Sequence, residues 1–211
     1  MKIYTQTLPK GTASLIEEIA SLPEIANFYL TGGTALSLQL GHRESEDLDF
    51  FSFIDFQPEL IQQSLLSISP LESVQIERGT LNVFLKGVKL QFLYYPYSLL
   101  EVPTLWNNLK LSSVIDIACT KLIAISARGS KKDFIDLYVI LEKFPFETLF
   151  KKLDDKYEHV QYNHVYILKS LVYFDDAEHQ PTPRMHIDYD WELVKQEITK
   201  KVKSFSMKYL K

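Results

Sequence analysis

One stretch, residues 28–51, FYLTGGTALSLQLGHRESEDLDFF, restricts the fold more than any other part of this 211-residue chain. A short apolar run, Phe28-Tyr29-Leu30, ends on Thr31-Gly32-Gly33, the pattern of a buried strand delivered into a tight turn. Ala35, Leu36, Leu38 and Leu40 then predict a short helix, begun by Thr34 and closed by Gly41. The alternation from Asp47 to Phe53 predicts a second strand.

The residue types in this stretch suggest a chemistry. Glycines let backbone N–H groups approach a phosphate with no side chain in the way. A helix N-terminus favours anions at the same place. Asp47 and Asp49 flank Leu48, and residues i and i+2 of a strand face one side, about 6–7 Å apart. Two carboxylates at that separation suit a pair of divalent ions about 3.5–4 Å apart. Mg²⁺ in particular is held by one or two carboxylates together with substrate phosphates. The plain alternatives are a simple turn at Gly32-Gly33 and two exposed acids on an edge strand. Against them, Asp49 sits between Leu48 and Phe50-Phe51, where a buried carboxylate needs a partner.

Around this stretch the pattern predicts a mixed α/β half. Residues 11–22 read as a helix ended by Pro23, and 60–68 as another. Three strand-like runs, 74–78, 81–85 and 88–94, are joined by short Gly-containing links and predict antiparallel hairpins, with Pro96 stopping the sheet. From Ser113 the pattern is helical: 114–127, 133–142, 146–157, 160–173 and 191–210, with residues 175–188 a loop. The expected fold class is α+β, a mixed sheet with flanking helices followed by a helical C-terminal half. The expected domains are residues 1–105 and a helical region, 106–211, packed on them.

Composition narrows the functional classes. The net charge of −4 and pI near 5.8 leave no global field for a phosphate backbone, so any nucleic-acid contact needs a local patch. The candidates are Arg128, Lys131 and Lys132, and the run Lys200, Lys201, Lys203, Lys208 and Lys211, whose plain alternative is a solvated helix face. The single cysteine, Cys119, lies in an apolar run and reads as core. No signal h-region and no stretch of about 20 apolar residues is present, so a cytoplasmic protein without membrane contact is expected. No zinc-like His/Cys spacing, Walker A pattern or serine elbow occurs.

Gly32-Gly33, thirteen residues, then Asp47-Leu48-Asp49-Phe50 resembles the signature of the polymerase-β-type nucleotidyltransferases. The fuller TGGTAL…HRESEDLDFF resembles the AbiEii/AbiGii toxin family, whose Arg-x-Ser-x-Asp-Leu-Asp-Phe run stands here as Arg43, Ser45, Asp47, Leu48, Asp49 and Phe50. A second similar block, residues 112–141, carries Lys121 and the run Lys132-Asp133-Phe134-Ile135-Asp136-Leu137-Tyr138. Similarity extends to residues 168–178, with the acidic cluster Asp175, Asp176 and Glu178.

The resemblance implies a nucleotidyltransferase core using an NTP and Mg²⁺ (or Mn²⁺). It also implies a toxin or abortive-infection role beside a cognate antitoxin, with tRNA or another RNA, or a protein, as acceptor. Asp47 and Asp49 would hold metal. Gly32, Gly33 and Thr34 would hold phosphate, with Arg43 and Ser45 as polar helpers. Lys121 would meet the triphosphate as a point charge, its alternative being a lysine snorkelling from an apolar helix. Asp133 and Asp136, at i and i+3, share a helix face, where Asp136 is a catalytic candidate and Asp133 a candidate cap.

One position departs from the superfamily pattern. Its third carboxylate falls on residues 88–93, where Gln91 stands. An amide neither brings charge to a metal nor takes a proton from a hydroxyl. This leaves a second reading, a module that binds nucleotide or antitoxin without transfer. A third is an interaction protein using the aromatics Tyr157, Tyr162, Tyr166, Tyr173 and Phe174, whose helical spacing equally suits a core.

Overall fold

Leu30 and Phe50 oppose each other, both fully buried, across an antiparallel strand pair that anchors the sheet. A computed structural model of the chain describes residues 2–209; the expected helix end at Leu210 and the last cation, Lys211, lie outside them. The chain forms two compact units, Met1–Ser113 and Val114–Lys211.

The first unit opens with helix α1 (Lys10–Ala20), which buries Leu15, Ile16 and Ile19. Strand β1 (Tyr29–Thr31) leads into α2 (Gly32–Leu40), then come β2 (Leu48–Ser52) and α3 (Pro58–Leu66). Strands β3 (Leu71–Glu77), β4 (Thr80–Leu85) and β5 (Val88–Tyr94) form the two expected antiparallel hairpins. Lys86 and Gly87, at φ 51° and 77°, make the two-residue turn that β4 and β5 need, since a right-handed twist favours left-handed backbone at both positions. α2 packs on β1 and β2, and α3 on β3 and β4.

The expectation that Pro96 stops the sheet is wrong. The chain returns as β6 (Thr104–Trp106) and β7 (Leu109–Leu111), joined by Asn107-Asn108 at φ 45° and 62°. The sheet therefore has seven strands, ordered β3-β4-β5-β2-β1-β7-β6. β7 lies parallel to β1 and β5 parallel to β2, while β1 and β2 are antiparallel. On one face Leu30, Leu48, Phe50, Leu90 and Phe92 are fully buried, with the Phe50 and Phe92 rings stacked at 5.0 Å. The other face carries Thr31, Asp49, Phe51 and Gln91. Because the mixed sheet precedes a helical half, the α+β expectation holds.

The second unit is helical: α4 (Val114–Arg128), α5 (Lys131–Ile140), α6 (Phe146–Lys156), α7 (His164–Ser170), the short α8 (Asp175–Glu178) and α9 (Trp191–Tyr209). α4 touches α5, α6 and α7, while α9 closes on α5 and α6. Phe150 and Phe205 meet at 5.0 Å in the core. Cys119 is buried there, and burial pushes its thiol up to about 12, so it is an inert core residue as expected. Of the aromatic set, Tyr157 is core, whereas Tyr166 and Tyr173 are exposed. Among the described residues no helix is long and apolar enough to cross a membrane.

Candidate active site

The glycines do not precede the helix, as Thr34 beginning it would require; they are its first two residues, after the extended Thr31. Gly32, at φ +66°, turns the strand into α2. That leaves the N–H groups of Gly32, Gly33 and Thr34 in the first helical turn, where no intrahelical acceptor exists. Gly41, at φ 71°, ends α2 as its left-handed C-cap, as expected.

Each of the two glycines has polar side chains pressed against it. A Cβ on Gly32 would overlap the Asp49 carboxylate. A Cβ on Gly33 would stand 2.6 Å from Arg43 Nη2 and 3.1 Å from Ser45 Oγ. The absent side chains are thus the space in which the carboxylate and the guanidinium sit. Register explains the first contact: Thr31, immediately before Gly32, pairs with Asp49 across β1 and β2.

The loop from Arg43 to Asp47 is tied to the helix start. Thr34, fully buried, donates from Oγ1 to the Asp47 carbonyl at 2.5 Å and hydrogen-bonds Ser45 Oγ at 2.9 Å. A hydroxyl has one proton, so Thr34 accepts from Ser45. The hydroxyl is thus engaged within the chain, and the Thr34 backbone N–H lies in the first helical turn. Arg43 is buried and donates from Nη1 to the Glu44 carbonyl at 2.9 Å. Asp47 and Asp49 are both half-buried. The helix start thus has the Asp49 carboxylate against its first residue and the buried Arg43 guanidinium against its second. Among the described residues no three His, Cys, Asp or Glu side chains form a group that could hold a metal ion.

Gln91 lies where the sequence places it, in register beside Asp49 on the parallel neighbour β5. Its partner was missed: Gln91 Nε2 donates to Asn82 Oδ1 at 2.9 Å. The signal was available, because Asn82 and Gln91 are mirror positions about the Lys86-Gly87 turn.

In the second unit Lys121 is buried and does not snorkel. Its Nζ lies 2.6 Å from Asp133 Oδ1 and 2.6 Å from Asp136 Oδ2. Asp133 makes no cap, since Ser130 precedes α5 and Asp133 points to Lys121, and to Arg128 Nε at 3.4 Å. A second buried pair, Lys156 with Asp116 at 2.7 Å, was not anticipated.

The basic patches are smaller in the fold than in the sequence. Lys131 is buried, donating from Nζ to the Glu178 carbonyl and lying 5.2 Å over the Trp191 ring. Lys200 pairs with Glu197, and Lys208 with Glu147. Nor is residue 175–188 wholly a loop, for α8 occupies its start. There the Glu178 carboxylate is drawn below its usual range by hydrogen bonds from Lys195 and Trp191.

Comparison with known proteins identifies the fold and the family. A protein of Aquifex aeolicus (strain VF5), itself uncharacterized, is 37% identical over 204 residues, covering 94% of this chain and 97% of that one. A putative nucleotidyltransferase from Helicobacter pylori superposes with a TM-score of 0.55 at 17% identity, covering 92% of this chain and 91% of that one. MenT4, a nucleotidyltransferase toxin from Mycobacterium tuberculosis H37Rv, does so with a TM-score of 0.54 at 16% identity, covering 92% and 86%. At those identities the two structures attest the fold. The sequence profile described as "Nucleotidyl transferase AbiEii toxin, Type IV TA system" matches residues 15–207. The chain therefore belongs to the AbiEii nucleotidyltransferase toxin family of type IV toxin–antitoxin systems.

Proposed function

We propose that this toxin-family chain transfers a nucleoside monophosphate from an NTP to a hydroxyl of an RNA, tRNA included, or of a protein, and that a cognate antitoxin restrains it. The observation that carries the reading is the contact of Gly32 with Asp49, which sets helix N–H groups and a carboxylate side by side. In-line phosphoryl transfer needs chiefly positioning and charge neutralisation, and this cluster offers groups of both signs.

The donor set suits Mg²⁺ or Mn²⁺. Asp47 and Asp49 supply the carboxylate oxygens that such ions take alongside phosphate. When bound, the cation supplies charge neutralisation at the phosphates. The chain's own groups do the rest. The N–H groups of Gly32, Gly33 and Thr34 bind phosphate oxygens, Arg43 backs that helix end with positive charge, and Ser45 fixes Thr34. Lys121 and Asp136 belong to the proposed functional set through the block of sequence that carries them.

The test is incubation of the chain with Mg²⁺ or Mn²⁺, each α-labelled NTP in turn, total RNA and cell protein. Label fixed covalently to one acceptor class is the expected result. NTP binding without label under every condition would select the second reading, a nucleotide- or antitoxin-binding module, which Gln91 beside Asp49 favours.

Gly32→Ala probes the cradle directly. It combines left-handed strain with displacement of the Asp49 carboxylate. Transfer is expected to fall about 10²-fold, as a displacement of about 1 Å in a catalytic group can cause. A melt alongside separates this from unfolding, and wild-type rates in a folded variant would remove Gly32 from the site.

A further inference from the structure

The sheet face that carries Asp49 also carries a row of polar residues. Thr31, Asp49, Gln91 and Asn82 are register partners on β1, β2, β5 and β4, so their side chains leave the same face. At one end Ser112 Oγ donates to Thr31 Oγ1 at 2.8 Å. Toward the other end, Gln91 Nε2 donates to Asn82 Oδ1. That bond takes the Gln91 nitrogen to β4, so the amide oxygen is the atom that the side chain can offer to β2, where Asp49 is its register partner. Among the described residues none donates a hydrogen bond to that oxygen.

An amide oxygen next to a carboxylate is electrostatically unfavourable unless something positive lies between them. Hard divalent cations accept both oxygen types, carboxylate and Gln carbonyl alike. We infer that Gln91 is a neutral oxygen ligand of the divalent cation held by Asp49, and that Asn82 is the positioning residue that keeps its carbonyl turned to β2. The inference rests on the metal reading proposed above. Gln91 then serves as an oxygen ligand that does not bring a third negative charge. The ligand set carries the charges of Asp47 and Asp49 only, so cation binding by the protein alone is weaker than with an acid at Gln91.

Mn²⁺ titrated into the full chain without nucleotide, followed by calorimetry and by the paramagnetic resonance of free Mn²⁺, reads this directly. Gln91→Leu is expected to weaken Mn²⁺ binding about tenfold or more. Asn82→Leu is expected to weaken it about tenfold, the usual cost of losing a group that orients a ligand. Gln91→Asp is expected to tighten it about tenfold, and decides the matter if the leucine variant fails to fold. If Gln91→Leu stays within about twofold of wild type while Asp49→Ala has lost Mn²⁺, the ligand assignment is overturned and the metal reading stands. If wild type binds no Mn²⁺, or Asp49→Ala binds it as well as wild type, both fall. Tighter binding by Gln91→Leu would also overturn the assignment, making the amide an N–H donor that competes for the Asp49 carboxylate.

Discussion

Asp49→Asn is expected to lower nucleotide transfer by about 10³-fold while the chain stays folded. The substitution keeps the side chain's size at a half-buried position and removes only its charge. A loss of that size is about 4 kcal/mol of barrier, in line with the several kcal/mol that metal-based charge stabilisation contributes to phosphoryl transfer. Asp49 is the more sensitive of the two acids because it sits within β2, fixed by pairs to Thr31 and Gln91 on either side, whereas Asp47 precedes the strand. Single-turnover transfer of label with the best NTP measures the effect, and a thermal melt reports the fold. A drop of tenfold or less in a folded variant would mean that Asp49 does not face the reacting phosphate.

The largest expected effect on stability lies in the second unit. Lys121→Met leaves Asp133 and Asp136 with side chains only 3% and 0% exposed and without the ammonium they share. Breaking a buried ion pair from one side costs about 3–5 kcal/mol, because the stranded charge has no water to replace its partner. For a chain of this length, each kcal/mol corresponds to roughly 2–4 °C in melting temperature. The triple variant Lys121→Met/Asp133→Leu/Asp136→Leu is expected to recover much of the loss, since it strands no charge. A circular-dichroism melt measures both, and a change below about 1 kcal/mol in Lys121→Met would contradict the buried network. The same pair of variants separates chemistry from folding. If stability returns in the triple variant and transfer does not, the cluster acts in the reaction as well as in the core.

The features legible in the sequence were those written in local pattern. Gly41 closed a helix because a left-handed residue must end it there, and Lys86-Gly87 marked a hairpin because its turn demands that backbone. Alternation along the strand put Asp49 on the face opposite Leu48 and Phe50, while Asp47 lies just before the strand. Contacts between distant segments were not legible. β6 and β7 have three residues each, too few for alternation to register, and β7 joins β1 from far along the chain. Asp133 and Asp136 were seen to share a face, but the lysine between them comes from another helix. Lys131 resembled part of a basic patch until Trp191 and the Glu178 carbonyl claimed it. The use of Thr34 followed the same rule, since only the folded loop brings Ser45 and the Asp47 carbonyl to its hydroxyl.

The turn at Lys86-Gly87 sits at the hairpin tip, four residues from Asn82 on one strand and four from Gln91 on the other. It nevertheless works as a ruler for the site. Side chains alternate along a strand, so a slip of one residue in pairing would swing Gln91 to the opposite face and break its match with Asn82. Loop tips normally tolerate changes in length. This one has its length set by what must line up beside Asp49, and a tag or inserted residue is better placed elsewhere.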